Sequence, residues 1–454
     1  MNYNNHLSLK KALSLMLSGV LLLGALPGCT KGTPDKPDEN PLPPAEKEPA
    51  SLMVTAQPLA AVTQPKSYSF ENDFDRRDAL RDTPVDPAFL EAMGGFSFRT
   101  GAELLSGAQS PNVNYSPVSL YYALSLASMG AEGQTRQELM ELMGVEEEEL
   151  LKSQAQNFYH HYFIQNEIGQ QNLGNSLWVD DSARLKEGFA KEAADFFYTE
   201  MFQGDLNDPR FCQARGQWVK DHTGGVLAPE FEPNPEAVLS ILNTVYFKDE
   251  WVDNFLEEDT APATFSREQG DPVTVDFMNQ TITGAFTRGE NFLRAGLPMK
   301  NGSSMIFVLP DEGVSAASLA ASEASLREAF TGGEDSYGTI TWKVPKFSFG
   351  SDLDLKALLM QLGVESAFSG EKADFSRLLE NSKDVFIDSV KQQSHIGIDE
   401  KGVEAAAFTQ IMFCGSGCPE DEAHMVLDRP FLYAIEVSPD APLFLGLCGD
   451  PSLH

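Results

Sequence analysis

The chain has 454 residues, 42% hydrophobic and 22% charged, which supplies a large apolar core and sets a disordered chain aside. Its 67 acidic residues against 33 basic ones leave a formal charge of -34, which repels phosphate backbones and speaks against nucleic acid as a partner. Five cysteines (Cys29, Cys212, Cys414, Cys418 and Cys448) are too few for a disulfide framework in a chain this long.

At the start, Lys10 and Lys11 precede an apolar run over 12–26 that ends in Leu26-Pro27-Gly28-Cys29. A basic flank, a short apolar run and a small residue before the cleavage point read as a secretory signal, too short to span a bilayer. The cysteine at that point resembles the lipobox of bacterial lipoproteins, although Pro27 stands where such sites usually carry a small or hydroxyl residue. This resemblance implies a lipoprotein signal peptide over 1–28, lipidation of Cys29, and an extracytoplasmic protein held to a membrane through its lipid anchor alone. Plain secretion with a free Cys29 is the alternative. Residues 29–67 are rich in Pro, Asp, Glu and Lys and poor in aromatic side chains, so they read as a flexible tether.

The globular part opens with an amphipathic helix over 86–105, interrupted by Gly94 and Gly95. Ser116 precedes Pro117 as a helix cap, and that helix runs through Tyr121, Leu124 and Ala127 to Met129. Residues 172–179 read as a strand, 191–202 as helix running into strand. The stretch 237–251 is almost continuously apolar and β-rich, as for a central strand covered on both faces. Strands follow at 305–310 and 339–349, then an amphipathic helix over 353–362 ended by Gly363. Residues 385–398 alternate like a buried strand. Over 403–412 one face carries Val403, Ala405, Ala407, Thr409 and Ile411, the other Glu404, Ala406, Phe408, Gln410 and Met412. That is the pattern of a half-buried strand. The turn-rich Cys414-Gly415-Ser416-Gly417-Cys418-Pro419 comes next.

Enzyme chemistry is not encoded in any recognisable motif. The chain has no GxSxG, HExxH, GxxxxGK[ST] or GxGxxG segment. Its seven histidines do not cluster at metal-ligand spacing, and Cys414 and Cys418 lack the further ligands of a zinc site. No catalytic residue, metal or cofactor is expected.

Asp399-Glu400-Lys401-Gly402-Val403-Glu404-Ala405-Ala406-Ala407 resembles the hinge of a serpin reactive-centre loop. Asp428-Arg429-Pro430-Phe431-Leu432-Tyr433 resembles the family's C-terminal signature, and Phe444-Leu445-Gly446 its closing strand. Matches extend from about Phe70 to the end, which implies one serpin domain over 68–454. The implied fold is α+β: a large mixed, mainly antiparallel central sheet with surrounding helices and an exposed reactive-centre loop. By the same resemblance Ser116 and Ser119 belong to the shutter beneath that sheet, with Asn243 as its asparagine. Trp251 falls on the tryptophan of the breach, where the loop begins to insert, and Lys346 should face Glu400 there. Gln392 replaces a histidine that many serpins carry in the shutter and is expected to bond Asn243.

The function so implied is suicide inhibition of a serine or cysteine endopeptidase. The protease cleaves the loop, and the freed hinge (Glu400, Gly402, Val403, Ala405, Ala406, Ala407) enters the sheet as a new strand before the acyl-enzyme can hydrolyse. Counting forward from Gly402 puts the scissile bond between Ser416 and Gly417, which suits elastase-like or subtilisin-like proteases. Met412 and Phe413 are alternatives that suit chymotrypsin-like or cathepsin-like enzymes. A Cys414–Cys418 bridge would enclose the predicted bond. Phe408 departs from the family's run of small residues; on the outer face it should slow insertion little. Two other readings stay open: a non-inhibitory serpin-fold surface protein, and a secreted hydrolase of unrelated fold. A monomer is expected.

Overall fold

The structure, a computed structural model, describes residues 56–186, 188–381, 385–403, 421–438 and 441–453. Cys29 and the leader lie outside the described residues. So do 404–420, with Ala405, Ala406, Ala407, Met412, Phe413, Cys414, Ser416, Gly417 and Cys418.

The helices are α1 (Asp73–Leu80), α2 (Pro87–Ser106), α3 (Pro117–Gly130), α4 (Gly133–Met143), α5 (Glu148–Tyr162), α6 (Phe189–Phe197), α7 (Pro209–His222), α8 (Ala316–Leu319), α9 (Glu323–Thr331) and α10 (Lys356–Gln361). The strands run from β1 (Asn112–Tyr115), β2 (Ile164–Gln165), β3 (Gln170–Asp180) and β4 (Thr199–Gly204) to β5 (Leu239–Glu250), β6 (Ala261–Phe265), β7 (Val273–Arg288) and β8 (Phe292–Pro298). They continue with β9 (Ser304–Pro310), β10 (Glu334–Pro345), β11 (Phe347–Asp354), β12 (Lys391–Ile398), β13 (Gly402–Val403), β14 (Asp421–Val426), β15 (Phe431–Ser438) and β16 (Ala441–Cys448).

One sheet has the order β1-β16-β15-β9-β8-β7-β10-β14, with β6 also on β7. The other has the order β11-β12-β13-β5-β3-β2, with β4 also on β3. Helices α2 and α3 lie against β16 of the first sheet and pack on each other through Phe89 and Phe96, whose rings meet Tyr121 edge-on at 5.8 and 5.3 Å. Local chemistry sets both helix starts. Asp86 accepts from the Ala88 N–H at 2.8 Å ahead of Pro87, and Ser116 Oγ accepts from the Ser119 N–H at 3.2 Å ahead of Pro117.

Several elements depart from the sequence expectation. A short α1 precedes the helix expected to be first. The single strand expected at 339–349 is two strands in different sheets, with Lys346 at the corner between β10 and β11. β12 begins at Lys391; the alternation before it reflects loop burial, with Ile387 N–H bonded to Ala367 O and Val390 O to Leu355 N–H. β5 is half-exposed over 239–243 instead of covered on both faces, because one of its long edges lacks a neighbour there. The chain already touches the folded body before residue 68: Leu59 N–H bonds Met201 O at 2.6 Å, and Gln64 Oε1 accepts from the Tyr159 hydroxyl at 3.0 Å.

β15 and β16 are buried along almost their whole length and place Gly446 opposite Tyr433. A Cβ at Gly446 would overlap the Tyr433 ring, which is itself fixed by a bond from its hydroxyl to Asn114 Oδ1 at 3.0 Å. Gly446→Ala is therefore expected to cost about 1–3 kcal/mol of overpacking. It should show as a lowered thermal unfolding midpoint; an unchanged midpoint would mean that the ring relocates freely.

Candidate functional site

β5 and β12 run parallel to each other, since each is antiparallel to the two-residue β13 between them. Val403 pairs with Ile398 on one side and Asp249 on the other; Gly402 pairs with Glu250. Below β13 no ladder joins β5 to β12 among the described residues. A cavity of about 60 Å³ lies under this gap, lined by Ile241 and Asn243 of β5, Gln392 of β12 and Ser119 of α3. A strand continuing from β13 would enter antiparallel to both neighbours, the better-bonded arrangement.

Each lip of the gap is tied to the start of α3. On the β12 side, Gln392 Nε2 donates to Ser116 O at 2.9 Å, and the Ser116 N–H donates to Gln392 Oε1 at 2.7 Å. On the β5 side, Ser119 Oγ donates to Asn243 Oδ1. Asn243 Nδ2 in turn donates to Asn175 Oδ1, and Asn175 Nδ2 to Phe197 O at 2.9 Å. The expected Gln392–Asn243 bond is not formed. Both amides are already engaged, Gln392 by a backbone pair and Asn243 by Ser119 and Asn175. Asn175 was not foreseen, although a polar residue in the apolar strand 172–179 was the available signal. Ser394, whose Oγ donates to Asn114 O at 2.7 Å, was missed as well.

At the upper end, Trp251 is buried and its Nε1–H donates to Asp399 O at 3.0 Å. Backbone bonds add to this, Trp251 N–H to Lys401 O and Phe255 N–H to Glu400 O, both 2.9 Å. Lys346 does meet Glu400: its Nζ lies 2.9 Å from Oε2 and 3.1 Å from Oε1, while Thr260 Oγ1 donates to Oε1 at 2.9 Å. Burial pushes the Glu400 carboxyl up. The bonds from Lys346, its own amide and Thr260 outweigh that and hold it below the ordinary 4.5.

The end of β5 is pinned from the other side. Glu250 and Lys300 form a buried ion pair at 2.6 Å. Asp249 accepts from Asn301 N and Nδ2 at 3.1 and 2.9 Å and from the Glu250 N–H at 2.9 Å. Burial nevertheless raises its carboxyl to about 6. Gly402 sits so close to this strand that a Cβ would run into the Asp249 carbonyl oxygen, so only glycine pairs there. Among the described residues the site is thus a set of hydrogen bonds and ion pairs that tie the two lips to α3 and to the β8–β9 turn.

The model of the family described as "Serpin (serine protease inhibitor)" matches residues 91–451. The alpha-1-antitrypsin-like protein GS55-MS of Ictidomys tridecemlineatus is 27% identical over 383 residues, covering 82% of this chain and 91% of that one. The native state of the thermophilic serpin tengpin superposes with a TM-score of 0.75 at 23% identity, covering 87% of this chain and all of that one. Its latent state gives 0.68, at 23% identity, with 80% and 98% covered. Thyroxine-binding globulin in complex with thyroxine gives 0.67 at 24% identity, with 80% and 99% covered. The α+β architecture with a large mixed sheet is thus the serpin fold, and the chain belongs to the serpin family.

Proposed function

We propose that this protein is a serpin-type suicide inhibitor of endopeptidases. Serpins as a family are protease inhibitors and not catalysts. The observation that carries the reading is β13: Gly402 and Val403 already occupy the mouth of the gap, in register with both lips. Continuing that register steps the chain down both strands together. Thr409, six residues after Val403, arrives opposite Asn243, six before Asp249, and opposite Gln392, six before Ile398. The inward positions on the way are Ala405 and Ala407, which bury at little cost. The hydroxyl of Thr409 then reaches the two amides that previously held α3.

Cleavage of the loop frees the hinge to enter, and the acylated protease is carried with it. The scissile bond is assigned to Ser416–Gly417, with Met412 and Phe413 as the alternatives, so an elastase-like or subtilisin-like target is favoured. Cys29 is the lipid attachment point. The protein works outside the cytoplasm as a monomeric bacterial lipoprotein, with residues 29–67 as its tether. The second reading, a non-inhibitory serpin that binds a ligand, is kept in view by the shared fold with thyroxine-binding globulin.

Incubation with elastase, subtilisin, chymotrypsin and a papain-like protease should give a denaturant-stable complex at the summed mass, with the cut after Ser416. A cut after Met412 or Phe413 within such a complex keeps the mechanism and moves the bond. Clean cleavage without complex, and without a rise in melting temperature, would establish the non-inhibitory reading.

Thr409→Val tests the register. The native protein should melt unchanged, whereas the cleaved form should lose about 1–3 kcal/mol, the cost of leaving a buried amide without its partner. Equal melting of the two cleaved forms would place Thr409 elsewhere.

Lys346→Ala should speed spontaneous loop insertion about fivefold or less, since Lys346 is 38% exposed and such pairs contribute at most about 1 kcal/mol. Glu400 titrates lower in the folded protein than the ordinary 4.5, so the pair's contribution is full above that value and fades as pH falls below it. The wild type should thus resist insertion better than Lys346→Ala at pH 7, and that advantage should shrink as pH is lowered below 4.5. An advantage unchanged over the whole acid range down to the protein's acid unfolding would show that the lysine acts by packing alone.

A further inference from the structure

α7 packs on β3 and β4 through an apolar cluster that includes Trp178, Phe202, Phe211, Trp218 and Val219. Its last residue, His222, extends that contact with a polar one. The ring lies against Gly174 of β3, where a Cβ would come within 3.2 Å of His222 Cβ and Cδ2. The strand thus offers the histidine a bare patch of backbone. The ring also stacks on Trp218, with centroids 4.1 Å apart and planes 25° apart.

Both ring nitrogens meet atoms that only accept. Nδ1 lies 2.8 Å from the Trp218 carbonyl oxygen, and Nε2 lies 3.3 Å from Oε2 of Glu200 on β4. The same carboxylate oxygen accepts from the Trp218 Nε1–H. Burial pushes the Glu200 carboxyl up. The bonds from His222 and Trp218 outweigh that and hold it below the ordinary 4.5, so it faces the ring as an anion. A neutral imidazole has one N–H and would turn a lone pair toward one of these acceptors, whereas an imidazolium satisfies both. The other groups around the ring bring no competing charge. Gly174 of β3 and Thr244 of β5 are neutral. Lys220 and Asp221 of α7 are exposed, and Asp221 accepts from Gln217 Nε2 at 2.7 Å.

We propose that His222 and Glu200 form a proton-dependent latch that fastens the last turn of α7 to β4, closed when the ring carries both protons and open when it has lost one. Histidine is the side chain whose charge changes between about pH 5 and 8. A cation that gains a partner contributes at low pH and loses that contribution as pH rises. α7 is therefore held more firmly at the acid end of that window, where Glu200 is still ionised. The consequence for inhibition rests on the insertion reading above. Five steps from Val403 opposite Asp249 bring Phe408 opposite Thr244, beside this turn of α7. A closed latch then slows insertion, and its release speeds it.

The test is hydrogen exchange of the α7 amides in the full chain between pH 5.5 and 8, each rate referred to that of an unstructured peptide at the same pH. Protection of the last turn of α7 should fall about threefold to fivefold as pH rises, the range of a partly exposed ion pair. His222→Gln and Glu200→Gln should each fold as the parent does and show level protection across the same pH range. Spontaneous insertion, read as the gain in thermal midpoint on standing, should speed by the same factor in the parent alone. Protection that stays level in the parent, or that falls equally in His222→Gln, would overturn the latch. Insertion at a rate independent of pH would overturn its part in insertion. The expected exchange in a protein that inserts at no pH would support the latch and overturn the insertion reading instead.

Discussion

The constraint on which the rest of this protein depends is an interrupted sheet. β5 and β12 lie on either side of β13 and share no ladder below it among the described residues. A strand of about a dozen residues there would add about ten backbone bonds, each contributing roughly 1 kcal/mol net. On the proposed mechanism the folded chain is thus kept from a more stable arrangement by a barrier and not by equilibrium. Every contact that ties the two lips down is part of that barrier. This explains why polar side chains are spent beneath the sheet centre, where apolar packing would be the simpler choice. Amides at Gln392, Asn243 and Asn175 hold the lips through directional bonds that can be exchanged for others.

Magnitudes decide which contacts matter most at the upper end. The Lys346–Glu400 pair is conspicuous, but the lysine is partly in water and the pair is screened. Trp251 is buried, bonds Asp399 O, and anchors backbone bonds to Lys401 and Glu400. Truncating a buried aromatic of this size costs about 3–5 kcal/mol, several times the ion pair. The barrier at the mouth therefore rests chiefly on the tryptophan and the main chain it organises. The ion pair adds orientation and a dependence on pH.

Much of this was readable in the sequence because it is carried by short contiguous stretches. The hinge, the Asn243–Trp251 strand and the stretch around Lys346 each hold their residues a few positions apart, and the structure brings Trp251, Lys346 and Glu400 to one place. What was not readable depends on partners far apart in the chain. Nothing near Gln392 says that both its amide atoms meet the backbone of Ser116, 276 residues away. Nothing in the apolar pattern of 237–251 says that one edge of the strand is left open, since a missing neighbour has no residues of its own. The unbroken β pattern over 339–349 hides a change of sheet at Lys346 for a similar reason: periodicity reports burial, and each strand buries one face on either side of the corner.

The same register changes the weight of the chain's oddest hinge residue. Alternation assigns Phe408 to the outer face, where the sequence alone suggests that it slows insertion little. Stepping from Val403 opposite Asp249, Phe408 arrives opposite Thr244. Thr244 is buried, and its hydroxyl and His222, the last residue of α7, both stand where a side chain on Gly174 of β3 would have to go. Farther along, Arg215 of α7 reaches Ser240 of β5 at 2.6 Å. The outer face at this point is therefore ground that α7 already covers. On the proposed mechanism an entering phenylalanine would meet the end of α7. Once there, it would bury a large apolar surface between helix and sheet. On the proposed mechanism, a residue that looks like a defect in a run of alanines would thus have two opposite effects: it would raise the barrier to insertion and deepen the state that follows.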